Sequence, residues 1–179
     1  AAPMLYRNLA EKGFFPVSEM ATLRRMGGLA GHPNMHTPGV EMPGGPLGQG
    51  FPAAQGMAMA LKLNNSPAKV YAVLGDGELN EGVIWETAMS AAKFKLDNLI
   101  AIVDYNKVQL DGTTDDVMPL GDLAAKWEAF GWTVLECDGH DLEALDFCVS
   151  VADGAVGAPT VIIANTIKGK GVSFMEGKN

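Results

Sequence analysis

From residue 69 onward, short apolar runs alternate along the chain with longer segments of helical periodicity. The runs KVYAVL, LIAIV, TVLE and TVIIA have the length of strands, and they lie at residues 69–74, 99–103, 133–136 and 160–164. Helices are predicted between them over residues 81–95, 122–130 and 142–151. Apolar strands separated by helices are typical of a parallel sheet that is covered on both faces. The sequence therefore predicts an α/β fold with a doubly wound parallel sheet and helices on both faces.

The first part of the chain is organised differently. Helices are predicted over residues 4–11 and 18–25, followed by a Gly- and Pro-rich stretch over residues 27–50 and a third helix over residues 52–62. Such a long connection in a compact domain is usually functional or disordered. The length of 179 residues fits one globular domain. We expect residues 1–179 to form a single domain that is incomplete at its N-terminus and its C-terminus.

Charge and cysteine content exclude several classes of protein. The chain has 13 Lys and Arg residues against 21 Asp and Glu residues, for a net charge of −8. This balance argues against nucleic acid and anionic membranes as partners, because both bind basic surfaces. No apolar run reaches the length that spans a membrane. The two cysteines, Cys137 and Cys148, are too few for a disulfide framework, so we expect a reducing, cytoplasmic compartment.

Polar or glycine-rich residues follow all four predicted strands. These segments are, in chain order, Gly75–Glu78, Asp104–Asn106, Cys137–His140 and Asn165–Gly169. In an open parallel sheet, the ligand crevice lies at the carboxyl ends of the strands. The sequence therefore predicts a polar ligand site along one edge of the sheet.

Asp76 and Asn106 are the most informative pair at these strand ends. They lie about one βαβ unit apart, so they can follow two parallel strands that are separated by about 4.8 Å. One carboxylate and one amide oxygen suit Mg²⁺, which takes its remaining ligands from water and phosphate. Gly75 and Gly77 allow the backbone to approach a phosphate closely. GDG alone also fits an ordinary turn, but Asn106 at the next strand end favours a metal and phosphate site.

Longer segments around these residues resemble the transketolase family. GDGELNEG followed by NLIAIVDYN resembles the thiamine diphosphate motif of that family. Further similar segments follow the expected order: LYRNLAEKGFF, GHPNMHTPGVEMPGGPLGQG, WEAFGWTVLECDGHD and NTIKGKGVSFME. The resemblance runs along essentially the whole chain, and in particular it is to the amino-terminal subunit of split transketolases. It implies the thiamine diphosphate-binding fold and, within it, the diphosphate-binding domain.

The resemblance also implies roles for individual residues. The implied metal ligands are Asp76, the Asn106 side chain and the Val108 carbonyl. The implied catalytic residues are His32, which contacts the donor sugar, and Glu81, which lies at a dimer interface that links two active sites. The residues expected to contact the cofactor are Gly45, Pro46, Leu47, Gly75, Gly77, Glu78, Asn106 and Lys168.

The activity implied by the resemblance is transfer of a two-carbon ketol unit from a ketose phosphate to an aldose phosphate. It requires thiamine diphosphate and Mg²⁺, for which Ca²⁺ or Mn²⁺ can substitute. It also requires a glutamate from a pyrimidine-binding domain, which the C-terminal subunit of a split transketolase would supply. The implied assembly is a homodimer or a heterotetramer, and the implied process is the pentose phosphate pathway. Two further family histidines would lie before Ala1 and after Asn179.

Three alternatives stay open at the level of sequence. The chain could be another thiamine diphosphate enzyme, such as the α-subunit of a 2-oxo-acid dehydrogenase, although that class predicts no GHP and PGGPLGQG pair. It could be a remnant that binds cofactor or a partner without activity of its own. A nucleotide-binding Rossmann protein is the weakest alternative, because the glycines from Gly44 to Gly50 do not form G-x-G-x-x-G between a strand and a helix.

His36 and His140 are expected to be surface or turn residues.

Overall fold

The computed structural model describes residues 2–110 and 112–178. It groups the chain into two compact units, one ending at Pro46 and the other beginning at Leu47. The prediction of a single domain over residues 1–179 stays a prediction. None of the helices in the described residues is long and apolar enough to cross a bilayer.

The first unit is built around helix α1 (Ala2–Glu11). Its small core contains Tyr6 and Phe15, whose rings meet edge to face with centroids 6.5 Å apart. The Tyr6 hydroxyl donates a 2.8 Å hydrogen bond to the carbonyl of Ala30. One aromatic side chain therefore joins the helix to the Gly-rich stretch that follows it.

The predicted helix over residues 18–25 is wrong. A 3₁₀ helix spans Val17–Thr22 instead, and Leu23 leaves it with extended backbone angles (φ −51°, ψ 126°). Arg24 then has a φ of 62°, in the left-handed region that an α-helix does not contain. The Thr22 hydroxyl donates to the Glu19 carbonyl, which is the local side-chain bonding that competes with a regular helix.

The second unit contains the sheet and the remaining helices. In chain order its elements are α2 (Gly50–Leu63), β1 (Val70–Gly75), a 3₁₀ turn (Gly77–Asn80), α3 (Gly82–Lys93), β2 (Leu99–Tyr105), β3 (Val108–Gln109), β4 (Gly112–Thr113), α4 (Thr114–Val117), α5 (Leu123–Ala129), β5 (Thr133–Asp138), α6 (Leu142–Asp153) and β6 (Thr160–Asn165). Strands β1, β2, β6 and β5 form one parallel sheet in that order. Strands β3 and β4 form a separate antiparallel ribbon.

Helices cover both faces of the sheet, as predicted. On one face, residues of α2, α3 and α5 form the larger core, in which Phe51 packs against Trp127 and Trp132 with ring centroids 6.1 and 5.8 Å away. On the other face, α6 packs through Cys148 and Ala152. The α/β, doubly wound prediction is therefore confirmed.

The sheet register places all four strand ends on one edge. Gly75 of β1 pairs with Asp104 of β2, and Asn165 of β6 pairs with both Tyr105 of β2 and Asp138 of β5. Each strand continues one or two residues beyond its predicted end, because the polar residues there keep the backbone pairing of the sheet. The polar segments that follow the strands therefore share the carboxyl edge, as predicted.

Candidate functional site

Asp76 follows β1 directly and connects two loops. Its side chain is buried, with the residue only 2% exposed. One carboxylate oxygen, Oδ1, accepts a 2.7 Å hydrogen bond from the Gly77 N–H, and Oδ2 accepts a 2.5 Å hydrogen bond from the Lys107 N–H. A single carboxylate thus joins the turn after β1 to the loop after β2.

Asn106 lies in that second loop, and Val108 begins strand β3 directly after it. The Asn106 Oδ1 atom accepts a 3.1 Å hydrogen bond from the Val108 N–H, and the Lys107 carbonyl accepts from the Thr114 N–H at 3.0 Å. Val108 pairs with Thr113 in the antiparallel ribbon. The chain therefore folds back on itself immediately after Asn106, so the three predicted metal ligands lie in the turn after β1 and in the short segment that joins β2 to β3.

The electrostatics of this site favour a bound cation. Burial raises the pKa of Asp76 above its ordinary value, and the nearby Asp104 carboxylate raises it further, while hydrogen bonds from the Lys107, Gly77 and Val108 backbone oppose the shift. The ionised carboxylate is therefore incompletely compensated by its protein partners. A divalent cation would supply that compensation and would also offset the repulsion between these carboxylates and a diphosphate.

The donor set fits Mg²⁺ rather than a metal held by protein alone. Within residues 2–110 and 112–178, no three His, Cys, Asp or Glu side chains group together as a metal site. Mg²⁺ usually keeps water and phosphate oxygens as ligands beside one or two carboxylates. One carboxylate, one amide oxygen and one carbonyl are sufficient protein ligands for such an ion.

Glu78 fixes the loop that precedes α2. Its Oε1 atom accepts a 2.7 Å hydrogen bond from the Gly48 N–H, and its Oε2 atom accepts a 3.2 Å hydrogen bond from the Gly75 N–H. A Cβ on Gly48 would lie 2.7 Å from Val83 Cγ1 and 3.0 Å from Glu81 Cβ, and the residue has a φ of +78°. Only glycine fits there, so the loop bearing Leu47 is held against the start of α3.

Gln109 was missed by the sequence analysis. A Cβ on Gly77 would lie 3.1 Å from the Gln109 Cβ, so the glutamine side chain lies against the GDG turn. Its Nε2 atom is buried without a hydrogen-bond partner among the described residues. Its position three residues after Asn106 was the only signal in the sequence, and glutamine itself has no distinctive motif.

The loop after β6 shares the same edge of the sheet. The Thr166 N–H donates to the Tyr105 carbonyl at 3.2 Å, and the Thr166 hydroxyl donates to the Asp104 carboxylate. Lys168 is exposed, and its carbonyl accepts a 2.9 Å hydrogen bond from the Gly177 N–H. Within the described part of the chain, no hydrogen bond or ion pair connects Lys168 to Asp76. Lys168 thus follows β6 at the predicted edge of the sheet, and its role stays a prediction.

His32, Gly45 and Pro46 belong to the first unit. His32 is exposed, and a Cβ on Gly45 would lie 3.2 Å from the His32 Cδ2 atom, so these two predicted site residues lie side by side. Glu81 belongs to the second unit, where it is exposed at the N-cap position of α3 and makes no capping hydrogen bond with its side chain. The roles predicted for these residues stay predictions.

Comparison with known proteins identifies the family. The whole chain, residues 1–179, matches the family model described as transketolase, thiamine diphosphate binding domain. The chain belongs to the transketolase family. This match favours transketolase over the α-subunit of a 2-oxo-acid dehydrogenase and over a Rossmann protein. It also makes thiamine diphosphate the cofactor of the domain to which the chain corresponds.

Two subunit-type transketolases are the most informative relatives. The chain is 50% identical over 178 residues to the 6-deoxy-6-sulfo-D-fructose transketolase subunit SqwG of Clostridium sp. (strain MSTE9), a match that covers 98% of the chain and 65% of that relative. It is 48% identical to an apulose-4-phosphate transketolase subunit of Actinobacillus succinogenes, covering 97% of the chain and 63% of the relative. The chain therefore spans slightly less than two thirds of these relatives.

A solved transketolase has the same fold as this chain. The transketolase of Pichia stipitis, in a crystal structure with xylulose-5-phosphate, superposes with a TM-score of 0.88 at 32% identity over 94% of the chain and 27% of that protein. Human transketolase is 40% identical over 180 residues, covering 99% of the chain and 28% of that protein. The thiamine diphosphate-binding fold predicted from the sequence is thus confirmed.

Proposed function

We propose that this chain is the diphosphate-binding part of an enzyme that transfers a two-carbon ketol unit from a ketose phosphate to an aldose phosphate. The observation that carries the proposal is the buried Asp76 carboxylate, which connects the GDG turn to the Asn106 loop. Its arrangement beside Asn106 and Val108 supports a divalent-ion site at the carboxyl edge of the sheet, where a family cofactor with two phosphates would need it.

In this proposal, Asp76, Asn106 and the Val108 carbonyl hold Mg²⁺, with Ca²⁺ or Mn²⁺ as substitutes. The other residues proposed to contact the cofactor are Gly45, Pro46, Leu47, Gly75, Gly77, Glu78 and Lys168. Glu78 holds the backbone of two loops, because its carboxylate oxygens accept hydrogen bonds from the N–H groups of Gly48 and Gly75. Its contribution is therefore to hold the loop around Leu47 in place.

When bound, thiamine diphosphate supplies the carbanion stabilisation that allows the bond beside a ketose carbonyl to be broken and remade. The residues of this chain would bind and orient the diphosphate end. His32 would contact the donor sugar, and exposed Glu81 would contribute to an interface between subunits. Both roles are proposals that rest on the family resemblance.

A partner subunit completes the proposed enzyme. The Clostridium and Actinobacillus relatives are both named as transketolase subunits, which supports a division of the enzyme between two chains. The proposed partner is a C-terminal subunit that supplies the pyrimidine-domain glutamate, and the proposed assembly is a homodimer or a heterotetramer. Its proposed substrates are sugar phosphates, as in the pentose phosphate pathway, and nucleic acid and membranes are not among its proposed partners. The proposed location is the cytoplasm, because two cysteines are too few for a disulfide framework.

The test is a transfer assay on the protein purified together with its partner subunit. With thiamine diphosphate and Mg²⁺, a ketose phosphate and an aldose phosphate should give products that are two carbons shorter and two carbons longer. The Asp76→Asn variant should lose most of this activity, and an Asp146→Asn variant should keep it because Asp146 is exposed on α6. Binding of the partner and the cofactor without any two-carbon transfer would refute the proposal and would support a binding remnant.

A further inference from the structure

His140 contacts the loop that carries Lys168. The Nε2 atom of this histidine accepts a 2.8 Å hydrogen bond from the Ile167 N–H, although 27 residues separate the two along the chain. Ile167 directly precedes Lys168, which the proposed function assigns to the cofactor. A side chain that follows β5 therefore fixes the backbone beside a proposed cofactor residue that follows β6.

The turn that contains His140 fits closely against this loop. The Gly139 N–H donates a 2.7 Å hydrogen bond to the Asn165 carbonyl. A Cβ on Gly139 would lie 2.5 Å from the Thr166 Cγ2 atom, so a larger residue would push the two segments apart. The Asp138 carboxylate accepts a 2.8 Å hydrogen bond from the His140 N–H. The imidazole is thus placed by the backbone of its own turn.

The loop over residues 167–177 is closed on itself. A 2.9 Å hydrogen bond joins its two ends, from the Gly177 N–H to the Lys168 carbonyl. The position of the loop against the sheet therefore depends on the contacts at its base. The hydrogen bond from Ile167 to His140 is one of these contacts, and it lies next to Lys168.

This hydrogen bond requires a neutral imidazole. A backbone N–H can only donate, so the Nε2 atom of His140 carries no proton and the ring proton lies on Nδ1. Histidine is the side chain that ordinarily changes its charge between about pH 5 and pH 8. A second ring proton would turn the acceptor into a donor, and the hydrogen bond from Ile167 would be lost. The contact therefore holds the loop only while the ring is neutral.

Charged groups of both segments surround the imidazole. Asp138 and Asp141 belong to the turn of His140 itself, and both accept hydrogen bonds from backbone N–H groups. Lys170 lines the same cavity as His140 from the loop after β6. Glu176, which pairs with Lys170 at 3.4 Å, interacts electrostatically with the histidine. Carboxylates and lysines ordinarily keep their charges between about pH 6 and pH 8, so a change over that range reports on the histidine.

We propose that His140 is a positioning residue that holds Ile167 and thereby orients Lys168 toward the bound cofactor while the imidazole is neutral. The inference rests on the proposed function, because that function assigns Lys168 to the cofactor. It gives a role to a histidine that the sequence marks only as a surface or turn residue.

The test compares two substitutions of the histidine. His140→Gln keeps an acceptor that does not titrate, because the glutamine Oε1 can take the place of Nε2, and His140→Phe keeps a planar ring without the acceptor. Leu142→Phe is the matched control, because Leu142 is 80% exposed and the change adds a phenyl ring to the surface near the same turn. Isothermal titration of the protein with its partner subunit measures the Kd for thiamine diphosphate with Mg²⁺ at about pH 8 and about pH 6.

At about pH 8, His140→Phe should weaken the Kd by roughly 3- to 10-fold, as expected for one lost hydrogen bond, while His140→Gln and Leu142→Phe should bind as the wild type does. At about pH 6, the wild-type Kd should move toward that of His140→Phe, and the Kd of His140→Gln should change less. Protonation of Asp76 would weaken binding in all variants alike. The ratio of the wild-type Kd to the His140→Gln Kd therefore isolates the histidine.

A double-mutant cycle tests whether His140 acts through Lys168. Lys168→Met removes the amine, keeps most of the side-chain length and should weaken the Kd on its own. In that background, His140→Phe should add no further loss, because the loop then has no amine to orient. Losses that add in the double variant would overturn the positioning role, since the histidine would then act by another route.

The outcomes separate this inference from the proposed function. Wild-type protein that binds thiamine diphosphate, together with a His140→Phe variant of equal affinity, overturns the role of His140 alone. A ratio of wild-type to His140→Gln Kd that is the same at both pH values also overturns it, and this comparison decides if His140→Phe does not fold. Wild-type protein that does not bind thiamine diphosphate in the presence of Mg²⁺ overturns the proposed function and this inference with it.

Discussion

Replacing Glu78 by glutamine should destabilise the second unit. The carboxylate accepts hydrogen bonds from the Gly48 N–H at 2.7 Å and from the Gly75 N–H at 3.2 Å. The residue is half-buried. A glutamine side chain keeps one acceptor oxygen but turns an NH₂ group toward the second N–H. One hydrogen bond to a charged group is therefore lost, which we expect to lower the free energy of unfolding by about 1.5–3 kcal/mol.

Urea unfolding of the protein without cofactor measures this change. Tryptophan fluorescence reports it, because Trp127 and Trp132 are buried in the larger core. With an m-value of about 2 kcal/mol/M, the midpoint should fall by about 1 M. Glu86→Gln is the control, because Glu86 is exposed on α3.

The same variant should also weaken binding of thiamine diphosphate. The hydrogen bond from the Gly48 N–H to Glu78 fixes the loop that contains Leu47, and the variant weakens that bond. Unfolding midpoints for Glu78→Gln and Glu86→Gln that agree within about 0.2 M would refute the reasoning, since the two hydrogen bonds to Glu78 would then contribute nothing to stability.

Three further predictions concern titration and packing. The hydrogen bond from Tyr71 to Asp153 raises the pKa of Tyr71 from 10.0 to about 12, so Asp153→Asn should return it toward 10.0 in an ultraviolet titration. The stabilisation from that hydrogen bond should be present below pH 10 and should disappear as the pH rises through about 12. Burial raises the pKa of Cys137 to about 11. Alkylation of this thiol should therefore be slow at neutral pH and should accelerate toward pH 11. Fast alkylation at about pH 7 would contradict this. Phe51 is fully buried beside Trp127. The Phe51→Ala variant should therefore lower the free energy of unfolding in urea by about 3–5 kcal/mol. A loss under about 1 kcal/mol would show that the site is not tightly packed.

The sheet could be predicted because each strand is a local apolar run. LIAIV and TVIIA identify β2 and β6 by composition alone, and they prove to be the two central strands. The ends were less predictable, because Asp104 and Asp138 are polar and yet pair within the sheet. The 3₁₀ helix over residues 17–22 was also missed, since its end depends on the left-handed backbone of Arg24 rather than on residue type.

The candidate site was predictable in outline and not in detail. Asp76 and Asn106 could be paired because both follow strands of one βαβ unit. The contact of Asp76 with the Lys107 backbone depends on how the loop folds back into β3 and β4, which are too short to show in a pattern. The same ribbon positions Gln109, and the contacts of Glu78 with Gly48 span 30 residues. Such long-range contacts have no periodic signature.

The most direct measurement of the central claim is the dependence of thiamine diphosphate binding on a divalent ion and on two side chains. Isothermal titration of the protein with its partner subunit should show binding with Mg²⁺, no measurable binding in excess EDTA, and a Kd raised at least about 10-fold by either Asp76→Ala or Asn106→Ala. Asp146→Ala, which removes an exposed charge on α6, should leave the Kd unchanged. Equal affinity in EDTA and Mg²⁺, or wild-type affinity in both site variants, would contradict the assignment of Asp76 and Asn106 as the residues that bind the ion and, through it, the diphosphate.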